Sequence, residues 1–294
     1  MAVQSVPGVT LSSGNAKNMP VLGLGTGSVP FLAPEAVIKA VLEAIELGYR
    51  MFDTASFYQT EEALGEAICQ AISCGLIKSR DEVFITSKIW CTDNYGDRLE
   101  YLDQYLIHFP ASVKAGVVFP PKVEDVVPLD IKSVWTAMEE CQTLGLTRSI
   151  GVSNFTCKKL GDILAFAKIP PAINQVEMNP TWQQGKLREF CQANKITIAA
   201  YSPLGAAGAF WGTKGVLESE VALRWAYEQG VVIVFRSFNK ERLKQYLQIF
   251  DWELSDEESK KIAGIPQSRA NLCQMFIFET GPVKSLEELW DGEV

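Results

Sequence analysis

The chain is poor in several residues and patterns that carry common chemistries. Its 294 residues include one histidine, His108, and its seven cysteines form no Cys-x-x-Cys pair. A structural zinc site needs clustered Cys and His ligands, so that class is excluded and metal catalysis is set aside. The cysteines, Cys69, Cys74, Cys91, Cys141, Cys157, Cys191 and Cys273, are odd in number and several fall at apolar positions of predicted helices. Reduced, buried thiols fit that distribution. No block of lysine or arginine stands out among 27 basic against 35 acidic residues, and the formal charge is −8. A nucleic-acid partner, which demands several cations for its phosphates, is thereby excluded. No stretch approaches the ~20 apolar residues that span a bilayer, and MAVQSVPGVTLSSG has neither a basic start nor the apolar run of a secretion signal. The expectation is a soluble, cytoplasmic, monomeric protein with no membrane partner.

What is present is core-forming material in a regular order. At 47% hydrophobic the chain can bury a large interior. Short β-branched runs alternate with amphipathic helices from end to end, which implies a parallel sheet. The runs are Val21–Gly25, Arg50–Ala55, Val83–Ile89, Gln104–Phe109, Ser149–Asn154, Ile173–Asn179, Thr197–Ser202 and Val231–Arg236. Helix signals fall between them. Pro34 stands in a first turn and Gly48 is a stop, Asp130, Thr156 and Asn239 are N-caps, and Ser255 with Glu258 makes a capping box. Eight runs with intervening helices predict one α/β domain over residues 1–294, a (β/α)8 TIM barrel with a short N-terminal β-hairpin. The competing architecture is an open doubly wound sheet with a nucleotide-binding turn at Gly23-Leu24-Gly25-Thr26-Gly27. The third glycine of that fingerprint is missing, because residue 28 is Ser. The cluster itself reads equally as a tight turn or as a cofactor contact.

In a (β/α)8 barrel, reactive groups sit at the C-terminal ends of strands. Asp53 ends the second run with Tyr58 just beyond it, Lys88 ends the third, His108 the fourth, Ser153 and Asn154 the fifth. Gln175 and Glu177 end the sixth, and Tyr201 and Ser202 the seventh. A tyrosine is a reluctant acid, and a nearby ammonium would stabilise the phenolate it leaves on giving up its proton. Lys88 supplies the ammonium, Asp53 holds it ionised, and His108 can polarise a substrate oxygen. Taken singly, each has a plainer role: a strand-end Asp–Lys ion pair, a satisfied histidine, a loop-anchoring tyrosine. Their convergence on one barrel mouth favours reduction of a C=O group.

The segments GYRMFDTASFYQTEEALGEA, FITSKIW, YLIHFP, SIGVSNF, NQVEMNP and YSPLG resemble those of the aldo-keto reductase superfamily. The likeness covers nearly the whole chain. MEECQTLGLT, FDWELSDEE, IPQSR and ELWDGEV resemble its plant branch, which includes chalcone (polyketide) reductases, codeinone reductases and deoxymugineic acid synthases. The resemblance implies a catalytic tetrad of Asp53, Tyr58, Lys88 and His108, and NADPH as cofactor. It places the nicotinamide carboxamide on Ser153, Asn154 and Gln175, the ring on Tyr201, and the pyrophosphate along Ser202 and Leu204. Gly25, Thr26 and Asp53 join the cofactor contacts, with Arg236, Ser237 and Arg242 around the 2′-phosphate, where two guanidinium groups suit a phosphate dianion. Gly27, Val29, Phe57, Trp90, Phe109, Phe210 and Trp211 are candidate walls of the substrate pocket, an apolar mouth that suits a bulky hydrophobic carbonyl compound. The function expected is NADPH-dependent reduction of an aldehyde or ketone in plant specialised metabolism.

Departures from the family pattern bear on activity. Met51 stands where many members have His, Gly27 where an aromatic residue often follows Gly-Thr, and Tyr246 where an Asn is often found near adenine. Gly27 is expected to widen the substrate pocket. The third and seventh β/α units, around Arg98 and Glu220, are shorter than in relatives. Between Trp90 and Gln104 there is too little chain for a full-length helix, so a stunted connection or a break near Arg98 is expected. An impaired barrel that binds NADPH as a sensor or partner protein, or a defective truncated variant, is the alternative reading.

Overall fold

The computed structural model describes residues 6–13, 17–92, 101–206, 212 and 217–293. A two-stranded antiparallel hairpin, β1 (Gly8–Val9) and β2 (Met19–Pro20), precedes the barrel. The barrel strands are β3 (Leu22–Gly25), β4 (Met51–Asp53), β5 (Phe84–Ile89) and β6 (Leu102–Ile107), then, beyond a short antiparallel ribbon of β7 (Ser112–Val113) and β8 (Val126–Val127), β9 (Thr147–Ser153), β10 (Ile173–Glu177), β11 (Thr197–Tyr201) and β12 (Val232–Phe235). They pair in parallel in that order, and β12 returns to β3 with Ile233 opposite Leu22 and Phe235 opposite Leu24. All eight predicted runs are strands, with ends shifted by no more than two residues.

Helices start at each of the four side-chain caps read from the sequence, Asp130, Thr156, Asn239 and Ser255, whereas those over Pro34–Leu47, Glu61–Ser73, Gly185–Ala193 and Ser219–Glu228 begin without one. α1 (Pro34–Leu47) buries Val37, Ala40, Val41, Ala44 and Ile45 on one face and stops at Gly48, whose φ of 106° the missing side chain permits. α2 (Glu61–Ser73) packs beside it. The Asp130 carboxylate accepts from Ser133 N at the start of α3 (Ile131–Thr143), Thr156 caps α4 (Cys157–Leu164), and α5 (Gly185–Ala193) and α6 (Ser219–Glu228) follow. Asn239 caps α7 (Lys240–Tyr246), the Ser255–Glu258 box opens α8 (Asp256–Ala263), and α9 (Leu286–Trp290) lies near the C-terminus. The expectation that the third unit lacks a full-length helix falls on residues 93–100, outside the described residues. The seventh unit holds α6 and also includes 207–211 and 213–216, likewise outside them. No disulfide joins the seven cysteines, but only Cys191 is buried, and Cys69 and Cys74 are exposed on and just after α2, against the expectation of buried thiols. Among the described residues no helix is long and apolar enough to cross a membrane.

Side-chain alternation along the strands places the site. Outward-facing Leu22, Leu24, Phe52, Ile85, Ile107, Ile150, Val176, Ile198 and Ile233 join the helices in the largest apolar cluster. Inward-facing Met51, Phe84, Leu106, Ile173, Ala199 and Val232 form a second cluster, capped by Leu11 and Met19 of the hairpin region. Going up the inside of four strands, β4, β5, β6 and β10, the residues change from apolar to ionisable: Met51 to Asp53, Phe84 through Thr86 to Lys88, Leu106 to His108, Ile173 through Gln175 to Glu177. The interior has no room to spare. A Cβ at Gly23 would lie 2.6 Å from the Met51 sulfur, and one at Gly151 would lie 2.6 Å from Ile173.

Candidate active site

Four ionisable side chains meet at the upper end of the barrel. Lys88 Nζ lies 2.6 Å from Asp53 Oδ1 and donates to the Thr54 carbonyl at 2.9 Å. Asp53 Oδ2 accepts from Gln175 Nε2 at 2.7 Å. Lys88 and Asp53 are almost wholly buried, with relative exposures of 1% and 2%. Burial alone would lower the Lys88 pKa, but the facing Asp53 carboxylate and the Tyr58 hydroxyl outweigh it, and the ammonium is held above its ordinary value. The Tyr58 ring stands over Lys88, with Nζ 5.1 Å from its centroid. Its hydroxyl is 3.2 Å from His108 Nε2. Burial pushes the Tyr58 pKa up and the Lys88 charge pulls against it, the net being upward.

His108 is neutral. Burial, reinforced by the Lys88 charge, holds it well below its ordinary pKa, and Nδ1 is buried without a hydrogen-bond partner. The folded protein therefore resists a proton that the unfolded chain accepts below pH ~6.5. The associated stability is present above that value and is lost as pH falls towards the folded pKa, by up to ~1.4 kcal/mol per pH unit. Glu177, pushed up by burial, acts with the opposite sign, so the informative quantity is a difference between two proteins. His108→Gln is expected to flatten the dependence, read from urea unfolding between about pH 5.5 and 7.5. An unchanged slope would mean that the folded imidazole protonates freely.

The remaining predicted residues stand around this group. Ser153 Oγ donates to the Gln175 carbonyl at 2.8 Å, and Asn154 Nδ2 donates to the His108 carbonyl at 2.9 Å. Asn154 Oδ1 accepts from the Tyr201 hydroxyl at 2.7 Å. A cavity of about 1710 Å³ extends from Tyr58 and His108 past Ser202 and Leu204 to Ser237, Arg236 and Arg242. Arg236 Nη1 reaches Ser28 Oγ at 3.3 Å across the channel. Gly25 lines the cavity, whereas the Thr26 hydroxyl turns to the Asp53 carbonyl at 3.2 Å and the Thr60 hydroxyl at 2.7 Å. At Gly27 a Cβ would meet the Tyr58 ring at 2.9 Å, so the room left by this glycine is taken up by the proposed proton donor.

The other end of the cavity is aromatic. Phe57 packs on Trp90 at 4.3 Å between ring centroids, Trp90 stands 4.8 Å from His108, and Phe109 stacks on Phe276 at 4.7 Å. Val29 lies at the rim, 48% exposed. Phe210 and Trp211 lie outside the described residues. Two wall segments were not foreseen from the sequence. One is the loop of the β7–β8 ribbon, with Val118 and Phe119; the other is the stretch past α8, with Cys273, Met275 and Phe276. Its signal was the run LCQMFIF, apolar, without helical period, and with no further strand to cover.

Comparison with known proteins agrees with this geometry. The model of the aldo/keto reductase family matches residues 21–99 and 97–215. A 7-acetyl-epi-neemfruitin B aldo-keto reductase of Melia azedarach is 52% identical over 318 positions, covering 99% of this chain and 98% of the relative. NADPH-dependent codeinone reductase 1-4 of Papaver somniferum is 51% identical, covering 99% of each chain. Deoxymugineic acid synthase 1 of Hordeum vulgare is 48% identical, covering 94% of this chain and 97% of its own length. The Melia alignment is longer than the 294-residue chain, so the relative has residues without counterparts here. With a closed eight-stranded barrel, buried Lys88–Asp53 and paired Tyr58–His108 at its mouth, and likeness of this extent, the chain belongs to the aldo/keto reductase family.

Proposed function

We propose that this protein uses NADPH to reduce the carbonyl group of a bulky, apolar aldehyde or ketone to an alcohol, in plant specialised metabolism. The observation that carries the reading is the Tyr58 hydroxyl beside His108 Nε2, with an ion-paired Lys88 under the tyrosine ring. The cavity suits the cofactor. Exposed guanidinium groups of Arg236 and Arg242 stand at one end for a 2′-phosphate, and the Ser153, Asn154 and Gln175 side chains with the Tyr201 ring stand at the other for a nicotinamide. When bound, NADPH supplies the hydride. Tyr58 gives its hydroxyl proton to the carbonyl oxygen as charge develops there, and Lys88 stabilises the phenolate left behind. His108, held neutral, donates an N–H to the same oxygen and fixes its position. Asp53 keeps Lys88 charged and in place. Phe57, Trp90, Phe119 and Phe276 exclude water and provide apolar surface for a large substrate.

NADPH is expected to bind more tightly than NADH. Arg242→Ala should weaken NADPH binding by about tenfold or more and leave NADH within about twofold, since each hydrogen bond to a charged group contributes ~1.5–3 kcal/mol. Equal dissociation constants for the two cofactors in the unsubstituted protein, measured by fluorescence, would remove the 2′-phosphate from the reading. The reaction itself is tested by loss of the reduced-nicotinamide absorbance with a panel of aldehydes, steroid and alkaloid ketones and polyketide intermediates. Tight NADPH binding without turnover of any of them would favour a sensor or partner role.

A further inference from the structure

Above Gln175 on the same inward face of β10 is Glu177, buried at 1% exposure and outside the proton chemistry. Its carboxylate holds two consecutive backbone amides of the segment past α8. Oε1 accepts from Ala270 N at 3.2 Å and Oε2 from Asn271 N at 2.9 Å. The preceding residue, Arg269, lies between two indoles, with its guanidinium carbon 3.7 Å from the Trp290 ring centroid and 4.9 Å from that of Trp182. It donates from Nη2 to the Glu293 carbonyl at 3.0 Å, and Trp290 Nε1 donates to the Leu272 carbonyl at 3.1 Å. Residues 269–272 are thus held from three sides: β10, the loop before α5, and the end of α9.

Immediately beyond this clamp the chain turns through Cys273, at a φ of 52°, into the Gln274–Phe276 turn that forms one wall of the cavity. Phe276 there stacks on Phe109 and stands 6.4 Å from Trp90 and 6.0 Å from Phe119. A buried carboxylate is costly, and packing alone has no use for one. What this one does is fix two amides relative to the strand whose Gln175 holds Asp53, so the substrate wall and the proton-donating group share one rigid support.

We propose that Glu177 is a positioning residue which, together with Arg269, sets the placement of the 271–276 wall and thereby the acceptance of bulky, fused-ring carbonyl compounds over small aldehydes. This rests on the carbonyl-reductase reading of the same site, and its test uses a binding measurement independent of turnover. Fluorenone serves as the bulky probe and propanal as the small one. In Glu177→Gln the amide side chain has one acceptor oxygen for two N–H groups, so one of them loses its partner. The dissociation constant of fluorenone with the NADP⁺-loaded full-length protein, read from tryptophan fluorescence, is expected to rise at least about tenfold. The NADP⁺ dissociation constant should stay within about twofold of the parent value and kcat/KM for propanal within about threefold. Arg269→Lys keeps the charge but loses the planar group between the indoles and is expected to move the same quantities in the same direction. It carries the test should Glu177→Gln fail to fold. An unchanged fluorenone dissociation constant in the folded variants overturns the proposal, and so does an equal loss for propanal and fluorenone. A parent protein that binds fluorenone but reduces neither compound counts against the proposed function and leaves the binding comparison intact.

Discussion

Tyr58→Phe is expected to lower turnover by roughly 10²–10⁴-fold while leaving the NADPH dissociation constant within about twofold. The phenylalanine ring fits where the tyrosine ring lies, against the backbone of Gly27 and over Lys88. What is removed is the one hydroxyl beside His108 Nε2. His108 cannot take over as acid, because burial and the Lys88 charge keep it unprotonated at neutral pH. Since burial also holds the Tyr58 pKa above its ordinary value, against the pull of Lys88, the parent's reduction rate should be flat through neutrality and decline only in the alkaline range, where the hydroxyl ionises. Steady-state kinetics with a fixed substrate and a fluorescence titration of cofactor together check both halves. Near-parental turnover would remove Tyr58 from the mechanism.

The second large effect is on stability as well as rate. Lys88→Met strips Asp53 of its counter-charge in a place 2% exposed, leaving its carboxylate with the Gln175 amide at 2.7 Å. Breaking a buried pair in this way costs ~3–5 kcal/mol, because one ion remains desolvated and uncompensated. The Lys88 pKa is raised in the folded state, so its contribution is fully present below the unfolded value near ~10.4 and is lost only as pH rises through the folded one. The deficit of the variant should therefore be constant across neutral pH. Adding Asp53→Asn removes the stranded charge and should restore much of the stability without restoring turnover, since no ammonium then faces the phenolate. Urea unfolding of the three proteins measures this. A deficit under about 1 kcal/mol in the single variant would show that water reaches the pair and screens it.

How much was legible in the sequence depended on which physical signal each part left. The eight barrel strands were readable from short β-branched runs that alternate with capped amphipathic helices, even where polar residues break the run, as in LDQYLI of β6 and TRSIGVS of β9. The cluster proposed as the catalytic tetrad was legible as a cluster because Asp53, Lys88 and His108 interrupt or end such runs where an apolar residue would otherwise complete the barrel interior, and the structure brings them together with Tyr58. Helix starts were marked by caps that the structure uses, as at Asp130, Thr156, Asn239 and Ser255. Glu177 could be placed at a strand end but given no task, because its partners are backbone amides about ninety residues away and amides leave no trace in residue identity. The walls from Phe119 and Phe276 were missed because their segments follow neither a 2.0 nor a 3.6 period. Gly27 pointed to an open pocket, and only the position of the Tyr58 ring shows what fills that space.

A chain with one imidazole has a built-in spectroscopic reporter. His108 is both the sole histidine and part of the proposed active site, 4.8 Å from the Trp90 ring. In a tag-free preparation its ring protons would give an imidazole spectrum that needs no assignment, shifted by the ring current of Trp90. Any compound that seats against the exposed edge of His108 would alter that one set of resonances, so occupancy of the site can be followed directly, compound by compound, in the absence of turnover.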